Sequence, residues 1–424
     1  MLETVLYGVP VAVWIGGALA LYMAWSIGAN DVANAMGTSV GSGALTVRQA
    51  IVVAGVFEFG GAFLAGGHVT DTVAKGMFDV QLVSGRPDLL LYDMLASLAS
   101  AGTLLLLATR MGLPISTTHS IVGSIVGFAA VGIGVDAVAW GKVAQIAASW
   151  GTSPLIGGVL AFLIFHLVRG AILDQPDPQA RARRYGPFFF GYVFFIIALV
   201  TLFKGLKNLE LDFDLPTALM LSLALGAVGA VVGWFTIHRV HAEPADPNDP
   251  DAPFRRVERV FVVLQILTAC AVAFAHGSND VANSIGPLAT VVHVARGLDI
   301  ASKAPVEPWM LAVGGLGIIL GLATWGYRVM ETVGKRITEL TPSRGFSAEL
   351  AAATTIVLAS RLGIPVSTTH ILVGAVLGVG LARGIGALDL RVVGMIAVSW
   401  IATLPIAAAL SIFFFYFFKG LFTP

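Results

Sequence analysis

The chain has 424 residues, of which 57% are hydrophobic and only 12% are charged, and its formal net charge is zero. Soluble domains carry about 25% charged residues, so this composition excludes an ordinary soluble protein and indicates a polytopic membrane protein. The balanced charge and the lack of a long basic block exclude nucleic acid as a partner. The single cysteine, Cys270, excludes an intramolecular disulfide and a cysteine-based metal site.

Apolar runs that are long enough to cross a bilayer recur along the whole chain. A spanning helix needs about 20 mostly apolar residues, so the runs predict an all-α protein with about twelve transmembrane helices. The first run lacks the basic flank of a signal peptide and is expected to be retained as a span. The runs lie near residues 8–28, 48–67, 89–109, 114–134, 143–168, 187–203, 216–238, 257–276, 308–327, 347–360, 364–382 and 392–418.

Two loops, 169–186 and 239–256, carry the clearest excess of arginine. The positive-inside rule therefore predicts that both loops are cytoplasmic. The second loop includes the Pro- and Asp-rich stretch HAEPADPNDPD, which is typical of a mobile linker. Because five predicted spans precede the first loop and five follow the second, we expect both termini on the outside.

The sequence contains an internal duplication. RMGLPISTTHSIVGSIVG (110–127) and RLGIPVSTTHILVGAVLG (361–378) share ten of eighteen residues, and GANDVANAMG (28–37) recurs as GSNDVANSIG (277–286). A weaker pair begins with Ser-Trp at 149 and at 399, so all three pairs have offsets of 249 to 251 residues. We therefore divide the chain into an N-terminal repeat (1–168), two linking spans (169–256) and a C-terminal repeat (257–424).

About seven predicted spans separate the two NDVAN copies, and this odd number predicts that the repeats have inverted topology. Transporters built in this way place the substrate near the midplane, at the repeat interface, on broken helices. The regions 110–134 and 143–168 are each interrupted by proline, which makes them candidates for broken or re-entrant helices. If either region is a hairpin, the count of spans changes.

The NDVAN motifs place a carboxylate and two amides at the end of an apolar run. Such groups are costly at membrane depth unless they meet a cation, a partner or water. Hard cations such as Na⁺ prefer oxygen ligands, and flanking glycines permit local unwinding, so the motifs predict a cation site. A hydrogen-bonded cluster between helices is the alternative. The residues are Asn30, Asp31 and Asn34 in the first copy and Asn279, Asp280 and Asn283 in the second.

The PxSTTH motifs favour the start of a helix, because Pro114 and Pro365 lose no hydrogen bond in a first turn. Hydroxyls and free N–H groups at a helix N-terminus bind anions, and two copies at a repeat interface could surround one oxyanion. The alternative is that the hydroxyls only cap their helices. His119 and His370 are expected to act as donors, as proton acceptors or as caps. The candidate anion ligands are Ser116, Thr117, Thr118, Ser367, Thr368 and Thr369.

Two further acids, Glu58 and Glu349, lie in or beside apolar runs. An acid inside a span is a functional candidate by default, and the alternative is a neutral, hydrogen-bonded carboxyl group. Alignment of the glycine pairs at 60–61 and 314–315 places Ala312 opposite Glu58, so the two acids are not repeat partners. Pro154 predicts a helix break after Ser149, Thr152 and Ser153, which could add donors to the anion site. Trp150 and Trp400 are expected to pack between helices or to anchor at the membrane interface.

The doubled NDVAN and PxSTTH motifs resemble the inorganic phosphate transporter (PiT) family of cation-coupled symporters. The resemblance spans residues 20–168 and 257–418 and implies twelve helices in inverted halves, a cytoplasmic central loop and a homodimer. The short central loop suggests a version from a prokaryotic inner membrane. By this resemblance Ser116, Thr117, Thr118, Ser367, Thr368 and Thr369 would contact phosphate, Asp31, Asn34, Asp280 and Asn283 would bind sodium, and Glu58 and Glu349 would serve cation coupling.

The sequence shows no nucleotide-binding loop and no catalytic constellation, so neither an ATP-driven pump nor an enzyme is expected. We expect a secondary symporter that imports inorganic phosphate by alternating access, coupled to a Na⁺ gradient or a H⁺ gradient, with no cofactor. Transport of metal–phosphate complexes stays open. The alternatives are a sulfate permease, because sulfate has the same shape, and a passive ion channel.

Overall fold

The structure is a computed structural model that describes residues 5–6, 8–65, 77–83, 85–202, 213–240, 252–298, 304–362 and 366–422. Within these residues, eight helical segments are long and apolar enough to cross a membrane. The expectation of a helical, multi-pass membrane protein is therefore confirmed. Pro365 and most of the second arginine-rich loop, residues 241–251, lie outside the described residues.

The part of the chain before the linking spans begins with a two-stranded antiparallel ribbon, β1 (Val5–Leu6) and β2 (Val9–Pro10), in which Val5 pairs with Pro10. The helices that follow are α1 (Val11–Ile27), α2 (Ala33–Gly41), α3 (Val47–Ala65), α4 (Pro87–Arg110), α5 (Thr117–Phe128) and α6 (Trp140–Val168). Short 3₁₀ turns lie at Val80–Val83 and Val135–Ala137, and π-helical turns at Gly28–Val32, Ala129–Ile133 and Arg169–Leu173.

Two linking helices come next, and they pack against each other: α7 (Pro178–Val200) and α8 (Leu215–His238). The remaining helices are α9 (Ala252–Asp280), α10 (Ala282–Ala295), α11 (Pro308–Trp325), α12 (Tyr327–Glu331), α13 (Pro342–Leu362), α14 (Thr368–Ala382) and α15 (Leu390–Phe422). A π-helical turn at Thr332–Arg336 and a 3₁₀ turn at Ile385–Ala387 complete the second part.

Both NDVAN motifs interrupt regular helix. In the first copy the π-helical turn Gly28–Val32 separates α1 from α2, and in the second copy α9 ends at Asp280 and α10 begins at Ala282. The glycines before the motifs also allow close helix contact. A Cβ atom on Gly28 would lie 1.8 Å from the carbonyl oxygen of Ile318, and one on Gly277 would lie 2.2 Å from that of Glu58. Only a residue without a side chain fits at either position.

Two details of the sequence interpretation were wrong. The predicted break at Pro154 is absent, because α6 continues through this residue. A neighbouring helix packs closely at this point, since a Cβ atom on Gly374 would lie 2.2 Å from the Pro154 carbonyl oxygen, and such packing helps membrane helices to tolerate proline. The arginine-rich loops are shorter than predicted, because α7 already begins at Pro178 and α9 at Ala252. Asp177 caps α7 by accepting a hydrogen bond from the Ala180 N–H.

Helices of each duplicated part of the chain pack against helices of the other part. In the first pair of contacts, α3 packs on α9 and α11 packs on α1; in the second pair, α6 packs on α14 and α15 packs on α5. Small residues bring the backbones together, as expected in lipid: a Cβ atom on Gly61 would lie 2.1 Å from the Phe274 carbonyl, and one on Gly321 would lie 1.8 Å from the Trp25 carbonyl. This packing brings both pairs of motifs into the buried centre.

Candidate functional site

Each PxSTTH motif starts a helix, as the sequence predicted. Ser116 is the N-cap of α5 and Ser367 is the N-cap of α14, and each hydroxyl oxygen accepts a hydrogen bond from the backbone N–H of the motif histidine at 3.3 Å. The serines therefore act as caps, but each hydroxyl retains its own hydrogen as a donor. The first N–H groups of a helix have no partner within the helix, so both starts can donate to an anion.

The two motif helices meet through their histidines. The rings of His119 and His370 lie edge to face, with 4.8 Å between their centroids. Trp150 Nε1 donates to His119 Nδ1 at 3.1 Å, while Trp400 stacks on His370 at 3.9 Å and donates from Nε1 to the Pro114 carbonyl at 3.0 Å. The tryptophans thus pack between helices, which was one of the two expected roles, and they also fix the orientation of the motif residues.

Three carboxylates surround one imidazole beside these helix starts, in a group that we call the acid cluster: Asp31, Glu58, His276 and Asp280. His276 Nε2 lies 2.8 Å from Asp280 Oδ2 and 3.6 Å from Asp31 Oδ1, and His276 Nδ1 lies 3.1 Å from Glu58 Oε1. All four side chains are buried. Even with a protonated histidine, the ionised cluster has an excess of negative charge, which is costly at membrane depth without a cation.

The hydroxyls of the second motif connect directly to the acid cluster. Thr369 Oγ1 donates a short hydrogen bond to Asp31 Oδ1, and Thr368 Oγ1 donates to Asp280 Oδ2 at 3.3 Å. The first motif approaches the same carboxylates, because the Thr117 hydroxyl faces Asp31, although it makes no hydrogen bond of good geometry with any described residue. Thr118 is half-buried, as Thr368 is. The candidate anion ligands and candidate cation ligands thus adjoin one another.

The asparagines have divided roles. Asn30 holds the turn before α5, since its amide donates to the Leu113 carbonyl at 2.9 Å and its oxygen accepts from the Ile115 N–H at 3.1 Å. Asn283 donates to Asp280 Oδ1 at 3.0 Å. Asn34 is buried, and its side-chain oxygen has no hydrogen-bond partner among the described residues, so it remains available as a ligand.

Asn279 donates to the carbonyl of Ala275 in its own helix at 3.0 Å.

Glu349 lies in a separate buried pocket, away from the acid cluster. Its carboxylate accepts hydrogen bonds from Thr38, Ser39 and Thr268 at 2.6 Å each and from Gln265 at 3.2 Å. Four neutral donors satisfy a buried acid well, so Glu349 connects α13 to α2 and α9 in this structure.

His276 is the main site residue that the sequence reading missed. Its counterpart in the first repeat is Ile27, so a search for duplicated polar residues passed over it. The contacts of Gly28 and Gly277 also show that the counterpart of Glu58 is Ile318 rather than Ala312. Each repeat therefore contributes one ionisable group where the other has a buried isoleucine: His276 corresponds to Ile27, and Glu58 corresponds to Ile318. The available signal was a histidine four residues before Asp280, at a spacing that places both on one helix face.

Chemically, the acid cluster has the donors for a metal ion. Asp31, His276 and Asp280 each offer one ligand atom, and these three atoms lie within 4.8 Å of one another. Carboxylate oxygens suit hard cations, and a carboxylate set beside neutral helix starts can hold a cation and an oxyanion side by side. The site thus contains complementary parts for two ions of opposite charge.

Comparison with known proteins decides the family. A family model described as the phosphate transporter family matches residues 27–411. The chain belongs to the phosphate transporter family. It is therefore a transporter and not an enzyme, and the predicted family resemblance is confirmed.

Individual members of this family match the chain over nearly its full length. It is 46% identical over 412 residues to a candidate phosphate permease of Haemophilus influenzae, with 97% of each chain covered. It is 44% identical over 425 residues to the chloroplastic inorganic phosphate transporter 2-1 of Arabidopsis thaliana, covering 94% of this chain and 70% of the relative. A solved structure, the sodium-dependent phosphate transporter, matches with a TM-score of 0.87 and 41% identity over 97% of this chain and 100% of the other.

Proposed function

We propose that this member of the phosphate transporter family is a secondary active symporter that imports inorganic phosphate with Na⁺. The observation that carries the proposal is the direct link between the two kinds of motif. Thr369 binds Asp31 across the two halves of the chain, and Thr368 binds Asp280. Cation ligands and anion donors that share hydrogen bonds provide a route for coupling.

The coupling follows from competition for the threonine hydroxyls. Without a cation, Thr368 and Thr369 donate to the carboxylates. A Na⁺ ion on Asp31 and Asp280, with Asn34 and Asn283 as further ligands, offsets part of the negative charge of the two carboxylates and takes the place of both hydroxyls at their oxygens. The released donors then join Ser116, Thr117, Thr118, Ser367 and the N–H groups of the two helix starts around phosphate. Cation binding therefore prepares the anion site, and loss of the cation favours phosphate release.

Neutral donors also suit release of the substrate. A fixed positive charge would hold a divalent anion strongly, whereas hydroxyl and N–H groups bind it without a permanent countercharge. Sodium is favoured over a proton because Asp31, Asn34, Asp280 and Asn283 offer oxygen ligands. The sodium-dependent phosphate transporter that matches the fold supports the same choice. Glu58 and Glu349 are proposed to support cation coupling, the former through His276.

The transport cycle that we propose is alternating access between two inverted repeats, 1–168 and 257–424, around the central site. The reciprocal packing of α3 on α9 and α11 on α1 supports a pseudo-symmetric pair of halves. In the same proposal the chain has twelve spans in a bacterial-type inner membrane, with 169–186 and 239–256 in the cytoplasm, both termini outside and a homodimeric assembly.

Uptake of radiolabelled phosphate into proteoliposomes tests the function. We expect accumulation with an inward Na⁺ gradient and none without a gradient, while a proton gradient alone is ineffective. Accumulation of sulfate in place of phosphate would indicate a sulfate permease. Equal flux with and without a gradient, without accumulation, would indicate a passive channel. Either result would contradict the proposal.

A further inference from the structure

A buried acid lies outside the site described above. Asp93 is in α4, with 0% of its surface exposed. Its Oδ1 atom accepts one hydrogen bond, from Ser97 in the same helix at 3.1 Å, and its Oδ2 atom has no hydrogen-bond partner among the described residues. An ionisable side chain inside a span is expensive to keep unless it has a function.

A row of buried serines connects this acid to the first PxSTTH motif. We call it the serine seam; its members are Ser97 and Ser100 on α4 and Ser116, Ser120 and Ser124 on α5. The helices are joined where Ser100 Oγ donates to Ser124 Oγ at 2.7 Å. Along α5, the Ser124 hydroxyl bonds the Ser120 carbonyl at 2.8 Å, and the Ser120 hydroxyl bonds the Ser116 carbonyl at 2.9 Å.

Spacing explains why the seam is continuous. Asp93, Ser97 and Ser100 recur at intervals of four and three residues, and the three serines of α5 recur every four residues. Residues at these intervals share one face of a helix, so each helix carries a polar stripe, and the two stripes meet at Ser100 and Ser124. The seam ends at Ser116, the cap of the helix that presents the first anion motif.

Within the described residues, no positive side chain forms an ion pair with Asp93. The helices and turns packed against α4 are α1, α5, α10, α12, α15 and the turns at 28–32 and 80–83. No ion pair joins Asp93 to a charged or titratable group of these elements or of α4 itself in the described part of the chain. Those groups are His119, His293, Arg328, Glu331, Arg391, Lys419, Asp31, Asp88, Arg110 and the tyrosines Tyr22, Tyr92, Tyr327 and Tyr416.

A cation other than a proton has too few ligands here. A hard cation takes about six oxygens, whereas the Ser97 hydroxyl is the only hydrogen-bond partner of Asp93 among the described residues. An ionised carboxylate that is buried without a partner is costly. Uptake of a proton at Oδ2 removes this cost, because the carboxylate then becomes a neutral carboxylic acid. A proton also needs no shell of oxygen ligands.

We propose that Asp93 is a proton-binding site that controls phosphate binding through the serine seam. This inference rests on the proposed function, because its readout is phosphate affinity. With the proton in place, α4 and α5 stay packed through the Ser100–Ser124 bond. Loss of the proton leaves a buried negative charge, which draws water into the seam, displaces α5 and weakens phosphate binding at its N-terminus.

Infrared difference spectroscopy of the purified protein tests proton binding directly. The carbonyl stretching band of a protonated carboxyl group should be present in the wild type and reduced in Asp93→Asn. The matched control is Asp88→Asn, an exposed acid in the first turn of the same helix, which should leave the band unchanged. If Asp93→Asn removes no intensity from this band at any pH at which the protein is folded, the proposal is overturned.

Phosphate affinity as a function of pH tests whether Asp93 controls phosphate binding. Phosphate itself changes protonation in the same range, so the quantity to compare is the ratio of variant to wild-type affinity at each pH. For Asp93→Asn this ratio should rise up to about tenfold per pH unit once Asp93 ionises in the wild type, because one titrating group changes by this factor. For Asp88→Asn the ratio should not vary with pH. A constant ratio for Asp93→Asn would overturn the proposal.

A second variant keeps the test decisive if Asp93→Asn does not fold. Ser124→Ala removes the hydroxyl that joins α5 to α4 but leaves the acid in place. We expect it to retain the carboxyl band, and the ratio of its phosphate affinity to that of the wild type should rise with pH. Full wild-type pH dependence in Ser124→Ala would refute control through the seam. If the wild type neither binds nor transports phosphate, the proposed function fails, while the infrared band still tests Asp93.

Discussion

Replacement of Thr369 by valine separates the two roles that we assign to its hydroxyl. The side chain is fully buried and donates to Asp31. Valine has nearly the same shape but no donor. A hydrogen bond to a charged group contributes about 1.5–3 kcal/mol, and tenfold in affinity corresponds to about 1.4 kcal/mol. Loss of one donor should therefore weaken phosphate binding by about 10- to 150-fold at saturating Na⁺.

The same variant should not weaken Na⁺ binding. In the proposed mechanism the cation displaces the Thr369 hydroxyl from Asp31, and in Thr369→Val that competitor is absent. Titration calorimetry of purified protein, with phosphate at fixed high Na⁺ and with Na⁺ alone, measures both affinities. Thr355→Val is the matched control, because Thr355 is a buried threonine whose hydroxyl donates to the Ala351 carbonyl of its own helix. Unchanged phosphate affinity in Thr369→Val, or an equal loss in both variants, would refute the reasoning.

Three further predictions test the cation site, the helix packing and a surface ion pair. Asp280→Asn should abolish the Na⁺ dependence of phosphate uptake, and retained dependence in proteoliposomes would exclude this residue as a cation ligand. Gly277→Ala would place a methyl group 2.2 Å from a carbonyl oxygen of α3 and should lower the free energy of unfolding by about 1–3 kcal/mol. Its melting temperature in detergent should therefore fall. That of Gly394→Ala, where nothing lies within 4 Å of the added methyl group, should not. The hydrogen bond from Arg296 lowers the pKa of Glu307. The stability from this pair is therefore present above the ordinary glutamate pKa and is lost as the pH falls. Because the pair is exposed, it contributes less than about 1 kcal/mol. Glu307→Gln should remove this acid sensitivity from thermal melts.

The sequence predicted the helix starts and the polar motifs because their chemistry is local. A serine after a proline and before Thr-Thr-His predicts an N-cap, and both Ser116 and Ser367 are N-caps. Duplication also brought the two PxSTTH motifs to one interface, where His119 and His370 are in contact. These features depend on residues that lie close together in sequence.

The remaining features depend on contacts between distant segments. His276 has an isoleucine counterpart, so its place among three carboxylates follows only from the packing of α3 on α9. Asp93 lies alone in an apolar run, and its relation to the anion motif requires the pairing of Ser100 with Ser124. Pro154 does not end its helix, because α14 packs closely against it. Tertiary contacts overrode the local pattern in each case.

The affinity for phosphate as a function of Na⁺ concentration is the measurement that tests coupling most directly. If Na⁺ on Asp31 and Asp280 releases the hydroxyls of Thr368 and Thr369, phosphate must bind more tightly as Na⁺ rises. Thermodynamic linkage requires that phosphate increase Na⁺ affinity by the same factor, typically about 5- to 150-fold. We predict equal factors in the two titrations. A phosphate affinity that does not change with Na⁺ would contradict the account.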